Sequence, residues 1–231
     1  MNWIVDNLDL IWRLTLDHVR LSIPPIVLGL LLSIPLGWVA YRYKLTRGLL
    51  LTVTGLLYTI PSLALLVLLP SVIGISFFSE LNITIGLTIY AVALLARSVA
   101  DALGSVDPGV RQSATAMGYS SWRRFWQVEL PLAGPVILAG LRVAAVSTVS
   151  LVTVGIVVGI ESLGYLFTNG LDRGILAEIF AGVVMTMVVA LVFDRVIALL
   201  GRLVMPWASG RTTRKAGRRA ARTASQAGVA R

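Results

Sequence analysis

The chain has 231 residues, of which 57% are hydrophobic and 13% are charged, and its formal net charge is +9. Soluble domains carry roughly 25% charged residues, so this composition indicates an integral membrane protein. Cysteine is absent and His18 is the single histidine, so the sequence offers no cluster of catalytic metal ligands. Neither lysine, Lys44 or Lys215, follows a glycine, which excludes an ATP-binding P-loop. The sequence therefore predicts no enzyme, no metal and no cofactor in this chain.

The first 22 residues precede Pro24 and Pro25 and contain several acidic side chains. Their apolar residues recur at helical spacing, which predicts an external amphipathic helix lying on the membrane surface. A simple extension of the first membrane span is the alternative. A cleavable signal peptide is not expected, because the segment lacks a basic start.

Five apolar runs follow, and a helix needs about 20 residues to cross the hydrocarbon core of a membrane. The runs cover 23–41, 49–69, 83–96, 132–160 and 175–200. Because backbone groups in lipid must be satisfied within the segment, we expect an all-α membrane protein with five transmembrane helices. The predicted domains are the N-terminal segment 1–22, a transmembrane domain 23–203 and a basic, disordered cytoplasmic tail 204–231.

Lysine and arginine cluster in some connecting segments and are scarce in others. Basic residues fall within 42–47, 97–124 and 202–231, whereas Glu80 and Glu161 mark the other connections. By the positive-inside rule, the basic segments lie in the cytoplasm. The sequence thus predicts a multi-pass protein of the cell (inner) membrane, with its N-terminus outside and its C-terminus inside. The excess positive charge favours contact with anionic lipid head groups. A nucleic-acid partner is not expected.

Polar and helix-bending residues inside the predicted spans are candidates for a pathway or a gate. Pro35 and Pro61 each remove a helix hydrogen bond, so either a static bend or a working hinge is expected there. Arg142 lies about 12 Å into its span and needs a partner or a water-filled crevice. The pathway or gate candidates are Tyr58, Thr59, Pro61, Ser62, Arg142, Ser147, Thr148 and Ser150. Bonds of the Ser and Thr hydroxyls to their own helices are the alternative interpretation.

A polar block, 107–131, separates the third and fourth runs, within the predicted cytoplasmic loop 97–131. Asp107 can cap a helix that opens with Pro108, and Gly118 can close that helix in a left-handed conformation.

A second short helix is predicted within the same block. Ser120 or Ser121 can cap it, and Pro131 is expected to end it. Its tryptophans and flanking arginines suit a membrane interface. A connector resting on the bilayer and a docking site for a soluble partner are equal alternatives from these features alone.

The spacing in this block resembles the EAA loop of the membrane subunits of binding-protein-dependent ABC importers. That pattern is Glu-Ala-Ala, three residues, Gly, nine residues, Ile, one residue and Leu-Pro. The matching run is Gln112-Ser113-Ala114, three residues, Gly118, nine residues and Val128-Glu129-Leu130-Pro131, with Gln112 and Ser113 departing from the pattern. The resemblance implies that 112–119 inserts into a groove of a cytoplasmic ATPase. The coupling residues it implies are Gln112, Ser113, Ala114, Met117, Gly118, Tyr119, Leu130 and Pro131.

The likeness covers roughly residues 14–203 and includes the runs 59–66 and 135–142, which are similar to permeases importing glycine betaine, carnitine, choline and related osmoprotectants. It implies a type I ABC importer fold and a permease that moves such a solute, or proline, across the membrane. The partners it implies are cytoplasmic ABC ATPase subunits, an extracytoplasmic substrate-binding protein and a second permease chain, identical or related.

Other functions remain open at this stage. A permease for another small solute such as methionine shares much of the scaffold. A stand-alone secondary carrier would need ion-coupling carboxylates in the membrane, and Glu178 and Asp194 lie near the ends of the last run. A scaffolding subunit of an export complex is a further alternative.

Overall fold

The computed structural model describes residues 2–208, apart from the side chains of Asn2, Lys44 and Leu45. The tail predicted for 204–231 therefore lies mostly outside the described residues, from residue 209 onward. Ten α-helices occupy the described part of the chain, and strands are absent from it, so the predicted all-α class is confirmed.

The helices follow one another with short connections. Their bounds are α1 (Asn2–Asp6), α2 (Leu8–Arg42), α3 (Lys44–Thr59), α4 (Ser62–Ile73), α5 (Glu80–Gly104), α6 (Pro108–Ala116), α7 (Ser121–Arg124), α8 (Leu130–Val152), α9 (Gly164–Asp172) and α10 (Leu176–Val204). A π-helical segment, Phe125–Glu129, joins α7 to α8, and a 3-10 segment, Thr153–Val158, follows α8.

The number of membrane spans agrees with the sequence. Within residues 2–208, four helical runs are long and apolar enough to cross a membrane: Leu8–Arg42, Glu80–Gly104, Ser121–Val158 and Leu176–Val204. The pair Thr46–Thr59 and Ser62–Ile73 supplies the fifth candidate, bent by 106°.

The N-terminal segment is helical, but residues 8–22 continue the first span as one helix and do not form the predicted separate helix on the membrane surface. The helix α2 passes Pro24 and Pro25 without ending, which is the extension that the sequence left open. Ile11 and Leu14 on this helix are buried in one cluster with Val149. Packing against the bundle therefore holds this segment in line with the span.

The two other prolines of interest behave differently from each other. Pro35 lies within α2, which continues past it without a break. At Pro61 the helix is interrupted, and the bend of 106° between α3 and α4 is much sharper than a proline kink. Ile60 has an extended backbone, with φ −63° and ψ 129°, because a residue before proline is disfavoured in the helical region.

The helix α5 lies at the centre of the bundle, packed against α2, α3, α4 and α8. Its approach to α2 is close because glycine occupies the contact. A Cβ atom added at Gly37 would lie 2.5 Å from the Cβ of Val99 and 2.9 Å from the carbonyl oxygen of Ala96. Any side chain at Gly37 would therefore push α2 away from α5.

We expect Gly37→Val to destabilise the bundle by about 1–3 kcal/mol, the usual cost of overpacking a tight contact. Thermal unfolding of the purified chain in detergent measures this change as a lower midpoint. Gly55→Ala is the matched control, because a Cβ there meets no atom within 4 Å. Equal midpoints for Gly37→Val and the unaltered chain would contradict this packing.

Candidate functional site

The first helix of the polar block has the ends that its sequence predicts. The Asp107 side chain accepts a hydrogen bond of 2.6 Å from the backbone N–H of Gly109, and Pro108 begins α6. Gly118 follows the helix with φ +83°, the left-handed conformation that favours glycine. These two ends define α6 as a helix of nine residues.

Most of the predicted coupling residues on and beside α6 face away from the bundle. Ala114 is buried and Tyr119 half-buried, whereas Gln112, Ser113 and Gly118 are exposed. Met117 and Val110 are also exposed, so they do not share one buried face with Ala114. A shallow groove of about 440 Å³ is lined by Asp107, Gly109, Val110, Ser113, Ala114, Met117, Tyr119 and Val128.

The last two predicted coupling residues have a different position. Leu130 packs against a buried cluster that contains Val99 and Ala133. The carbonyl oxygen of Pro131 accepts a hydrogen bond of 3.3 Å from the indole N–H of Trp207. Leu130 and Pro131 therefore join the polar block to the bundle, whereas the residues of 112–118 other than Ala114 form its exposed surface.

Arg111 fastens α6 to the first span. Its guanidinium donates hydrogen bonds to the hydroxyl of Tyr41 and to the carbonyl oxygen of Val106. The guanidinium carbon also lies 5.3 Å from the centroid of the Tyr41 ring, a cation–π contact. Arg111 thereby joins α6 to the end of α2.

Arg124 joins α6 to the start of α8, a contact that sequence analysis did not predict. Its Nε donates a hydrogen bond of 2.7 Å to Glu129, whose side chain is 4% exposed. Its Nη1 donates a bond of 2.8 Å to the hydroxyl of Thr115 on α6. One guanidinium thus bridges α6 and the base of a membrane-spanning helix.

The second predicted helix starts as expected and ends differently. Ser120 caps it, with its hydroxyl 3.4 Å from the backbone N–H of Arg123. The prediction that Pro131 ends this helix is wrong, because Ser121–Val158 is one continuous helical run. The backbone N–H of Leu130 bonds to the carbonyl oxygen of Phe125, and this wider π-helical turn precedes Pro131 at the start of α8.

The predicted pathway residues other than Arg142 fall into two groups. Tyr58, Thr59, Pro61 and Ser62 lie together at the break between α3 and α4. Ser147, Thr148 and Ser150 lie on α8, where Thr148 is buried and the hydroxyl of Ser150 donates 3.1 Å back to the carbonyl oxygen of Val146. Thr59 likewise donates to the carbonyl oxygen of Leu56, so the alternative of bonds within one helix holds for both hydroxyls.

Arg142 has the partner that its position in a span required. Its Nε and Nη2 donate hydrogen bonds of 2.6 and 2.8 Å to the two carboxylate oxygens of Asp194 on α10. This two-point geometry fixes the relative rotation of α8 and α10. The pair neutralises both charges within the transmembrane part of the bundle.

Removing Asp194 leaves Arg142 without its ion-pair partner, and removing Arg142 leaves Asp194 with only the longer contact to the exposed Arg195. We expect Arg142→Ala and Asp194→Ala each to lower the thermal midpoint of the purified chain. The combined exchange, Arg142→Asp with Asp194→Arg, should recover part of the loss, because it restores opposite charges at the contact. Arg195→Ala is the control, since Arg195 is exposed and 3.9 Å from Asp194. Single variants as stable as this control would contradict a structural role for the pair.

The family "binding-protein-dependent transport system inner membrane component" matches residues 26–206. The osmoprotectant import permease protein OsmW of Salmonella typhimurium is 30% identical, over 89% of this chain and 97% of its own. The glycine betaine/carnitine/choline transport system permease protein OpuCD of Bacillus subtilis is 31% identical, over 82% of each chain.

Two solved structures share the fold. A chain of the MetNI methionine ABC transporter, in an inward-facing conformation, superposes with a TM-score of 0.77 at 20% identity, over 86% of this chain and 98% of that one. A chain of an amino acid ABC transporter superposes with a TM-score of 0.71 at 17% identity, over 86% and 96%. From the family match across most of its length, the chain belongs to the inner-membrane components of binding-protein-dependent transport systems, the permease subunits of ABC importers.

Proposed function

We propose that this chain forms one half of the membrane pathway of an ATP-driven importer for small quaternary-amine osmoprotectants. The observation that carries the mechanism is the exposed lever α6, capped at both ends and tied to the bundle by Arg111 and Arg124. Residues 23–203 form the proposed permease unit, in line with the family match over 26–206.

The proposed orientation follows from the positions of charged side chains. Arg47, at one end of the bundle, pairs with Asp101 near the end of α5 that leads to α6. Arg20 and Glu80 pair at the other end of α5. Both ends have such a pair, but basic residues outnumber acidic ones at the end that carries α6, within 42–47 and 97–124, whereas the other end is richer in acidic residues. By the positive-inside rule, the end that carries α6 therefore faces the cytoplasm. The N-terminus is then outside the cell, and the receptor docks on that side.

The proposed ATPase contact uses the surface groove on α6. Met117 is 70% exposed beside this groove, and an exposed apolar side chain next to Ser113 and Gln112 suits insertion into a protein cleft. Two ATPase subunits that close on ATP would displace two such levers, one on each permease chain. Arg124 and Arg111 would pass the displacement to α8 and α2, and the spans would then rock between inward- and outward-facing states.

The proposed solute class rests on the relatives. The curated relatives at 30% and 31% identity are named for osmoprotectants and for glycine betaine, carnitine and choline. The structural likeness to the methionine transporter is at 20% identity, which supports the shared fold and says nothing of the solute. Glycine betaine, carnitine, choline and proline are therefore the solutes to test first.

A stand-alone carrier is less well supported. Asp194 is paired with Arg142, and one oxygen of the buried Glu178 carboxylate accepts a hydrogen bond of 2.6 Å from Asn169, whereas its other oxygen has no partner among the described residues. A stand-alone carrier would also have no ATPase for the exposed helix α6 to bind.

Reconstitution into liposomes tests the proposed function. With its ATPase and its receptor, the chain should take up labelled glycine betaine, choline or carnitine only when ATP is present, and methionine much more slowly. Liposomes without the ATPase are the control. Uptake that is independent of ATP would support a carrier, and selective methionine uptake would overturn the proposed solute class.

Gly118 sets the end of the lever, and its φ of +83° is costly for a β-branched residue. A Cβ atom there meets nothing within 4 Å, so the effect of substitution is confined to the backbone. We expect Gly118→Val to lower uptake while ATP hydrolysis and thermal stability of the spans persist. Gly118→Asn is the matched control, because Asn tolerates the left-handed conformation. Full uptake by Gly118→Val would contradict the lever.

Arg124 passes the motion of α6 to α8 in this proposal. We expect Arg124→Gln to reduce the amount of solute transported per ATP hydrolysed, because the neutral amide loses the charge-assisted bond to Glu129 and cannot bridge Glu129 and Thr115. Arg123→Gln is the matched control, because Arg123 is exposed and contacts the Tyr119 ring, with its guanidinium carbon 5.6 Å from the centroid. If Arg124→Gln and Arg123→Gln transport the same amount of solute per ATP hydrolysed, Arg124 has no part in coupling.

A further inference from the structure

We propose that the break between α3 and α4 is a transit site for a quaternary ammonium group, formed by the ring of Tyr58 and the oxygen atoms beside it. This inference rests on the proposed function and adds a location and a recognition chemistry within the membrane. Three observations support it: the depth of the break in the membrane, the non-helical backbone at the break and the exposure of Tyr58.

The break lies near the middle of the membrane. The hydroxyl of Tyr90 on α5 donates a hydrogen bond to the carbonyl oxygen of Ile60, which places the break level with Tyr90. Tyr90 is about 15 Å from the start of α5 at Glu80 and about 21 Å from its end at Gly104, at about 1.5 Å per residue. A hydrocarbon core is about 30 Å thick, so the break is far from both surfaces.

Broken backbone at this depth does not face lipid. Non-helical segments within a membrane occur where they are buried in protein or line a water-filled cavity, because lipid cannot satisfy freed backbone groups. Tyr90 satisfies the Ile60 carbonyl, yet Thr59 and Pro61 remain exposed on this chain. The exposed side of the break therefore faces the second pore half or the solute path between the two halves.

An aromatic ring is held at this position. Tyr58 packs edge to face with Tyr90, with ring centroids 5.9 Å apart and an interplanar angle of 77°. Tyr90 is 4% exposed, whereas Tyr58 is 45% exposed. The buried ring thus supports the exposed one from behind and leaves much of the Tyr58 surface available to a solute.

The surroundings of Tyr58 contain aromatic and dipolar groups and no formal charge nearby in sequence. Residues 48–79 include no Asp, Glu, Lys or Arg, and neither do residues 81–96 of α5. A quaternary ammonium group has no N–H and cannot donate N–H hydrogen bonds, and its diffuse charge is attracted to the face of an aromatic ring. The hydroxyl and carbonyl oxygens at the break carry partial negative charge and add a weak attraction for this cation. Modest attraction suits a site that a solute must leave again.

Uptake by ring variants tests the recognition chemistry. In liposomes with the ATPase and a saturated receptor, Tyr58→Phe and Tyr58→Trp keep a ring and should retain uptake of choline and glycine betaine within about twofold. Tyr58→Leu should lose about 3- to 30-fold, the span expected for one cation–π contact. Receptor-stimulated ATP hydrolysis should persist in all three variants. Wild-type uptake by Tyr58→Leu would overturn the transit site.

A labelling experiment gives a second readout that a merely structural role of Tyr58 would not produce. The chain lacks cysteine, so Thr59→Cys introduces a single thiol and leaves Tyr58 in place. A trimethylammonium methanethiosulfonate should modify this thiol, and glycine betaine should slow the reaction during turnover. Met187→Cys is the control, because Met187 is 60% exposed near the middle of α10 and should be inert to this charged reagent. No reaction at Thr59→Cys, or a reaction that glycine betaine leaves unchanged, would overturn the proposal.

The two experiments separate this site from the proposed function. If the unaltered protein takes up no quaternary amine, the proposed solute class fails. If it takes up glycine betaine or choline and Tyr58→Leu does so equally well, only the transit site fails.

Discussion

Two arginine side chains hold the polar block on the bundle, and the proposed mechanism depends on them. Arg111 bonds α6 to Tyr41 at the end of the first span, and Arg124 bonds the same helix to Glu129 at the base of α8. Charge-assisted hydrogen bonds with a nearly buried carboxylate are among the stronger polar contacts in proteins. A lever fixed at two points transmits force, whereas a helix on a loose loop would move without moving the spans.

Satisfaction of polar groups in lipid explains two other features of the bundle. The Arg142 guanidinium meets the Asp194 carboxylate at two points, which removes the cost of separate charges in the membrane. The carbonyl oxygen of Ile60, freed by the bend at Pro61, receives the hydroxyl of Tyr90. Because lipid cannot satisfy polar groups, the exposed side of the α3–α4 break is also the surface expected to face the other pore half or the solute path.

Local chemistry made part of this structure predictable. The span count follows from apolar runs, and the ends of α6 follow from Asp107 and Gly118. Arg124 and Glu129 are five residues apart, a spacing that does not meet on an α-helix, and the π-helical turn between them brings them together. The continuity of α2 and the contact of Tyr90 with Ile60 depend on packing between distant segments, for which the sequence carries no local signal.

The position of α6 relative to the membrane is the most direct test of the account. Met117→Cys places a single thiol on the exposed side of the lever, and Asp172→Cys places one at the end of α9, also exposed. A membrane-impermeant maleimide should modify Met117→Cys only from the cytoplasmic side of oriented vesicles, and bound ATPase should protect it. Asp172→Cys should react only from the outside. Modification of Met117→Cys from outside, or from neither side, would contradict a lever moved by an intracellular ATPase.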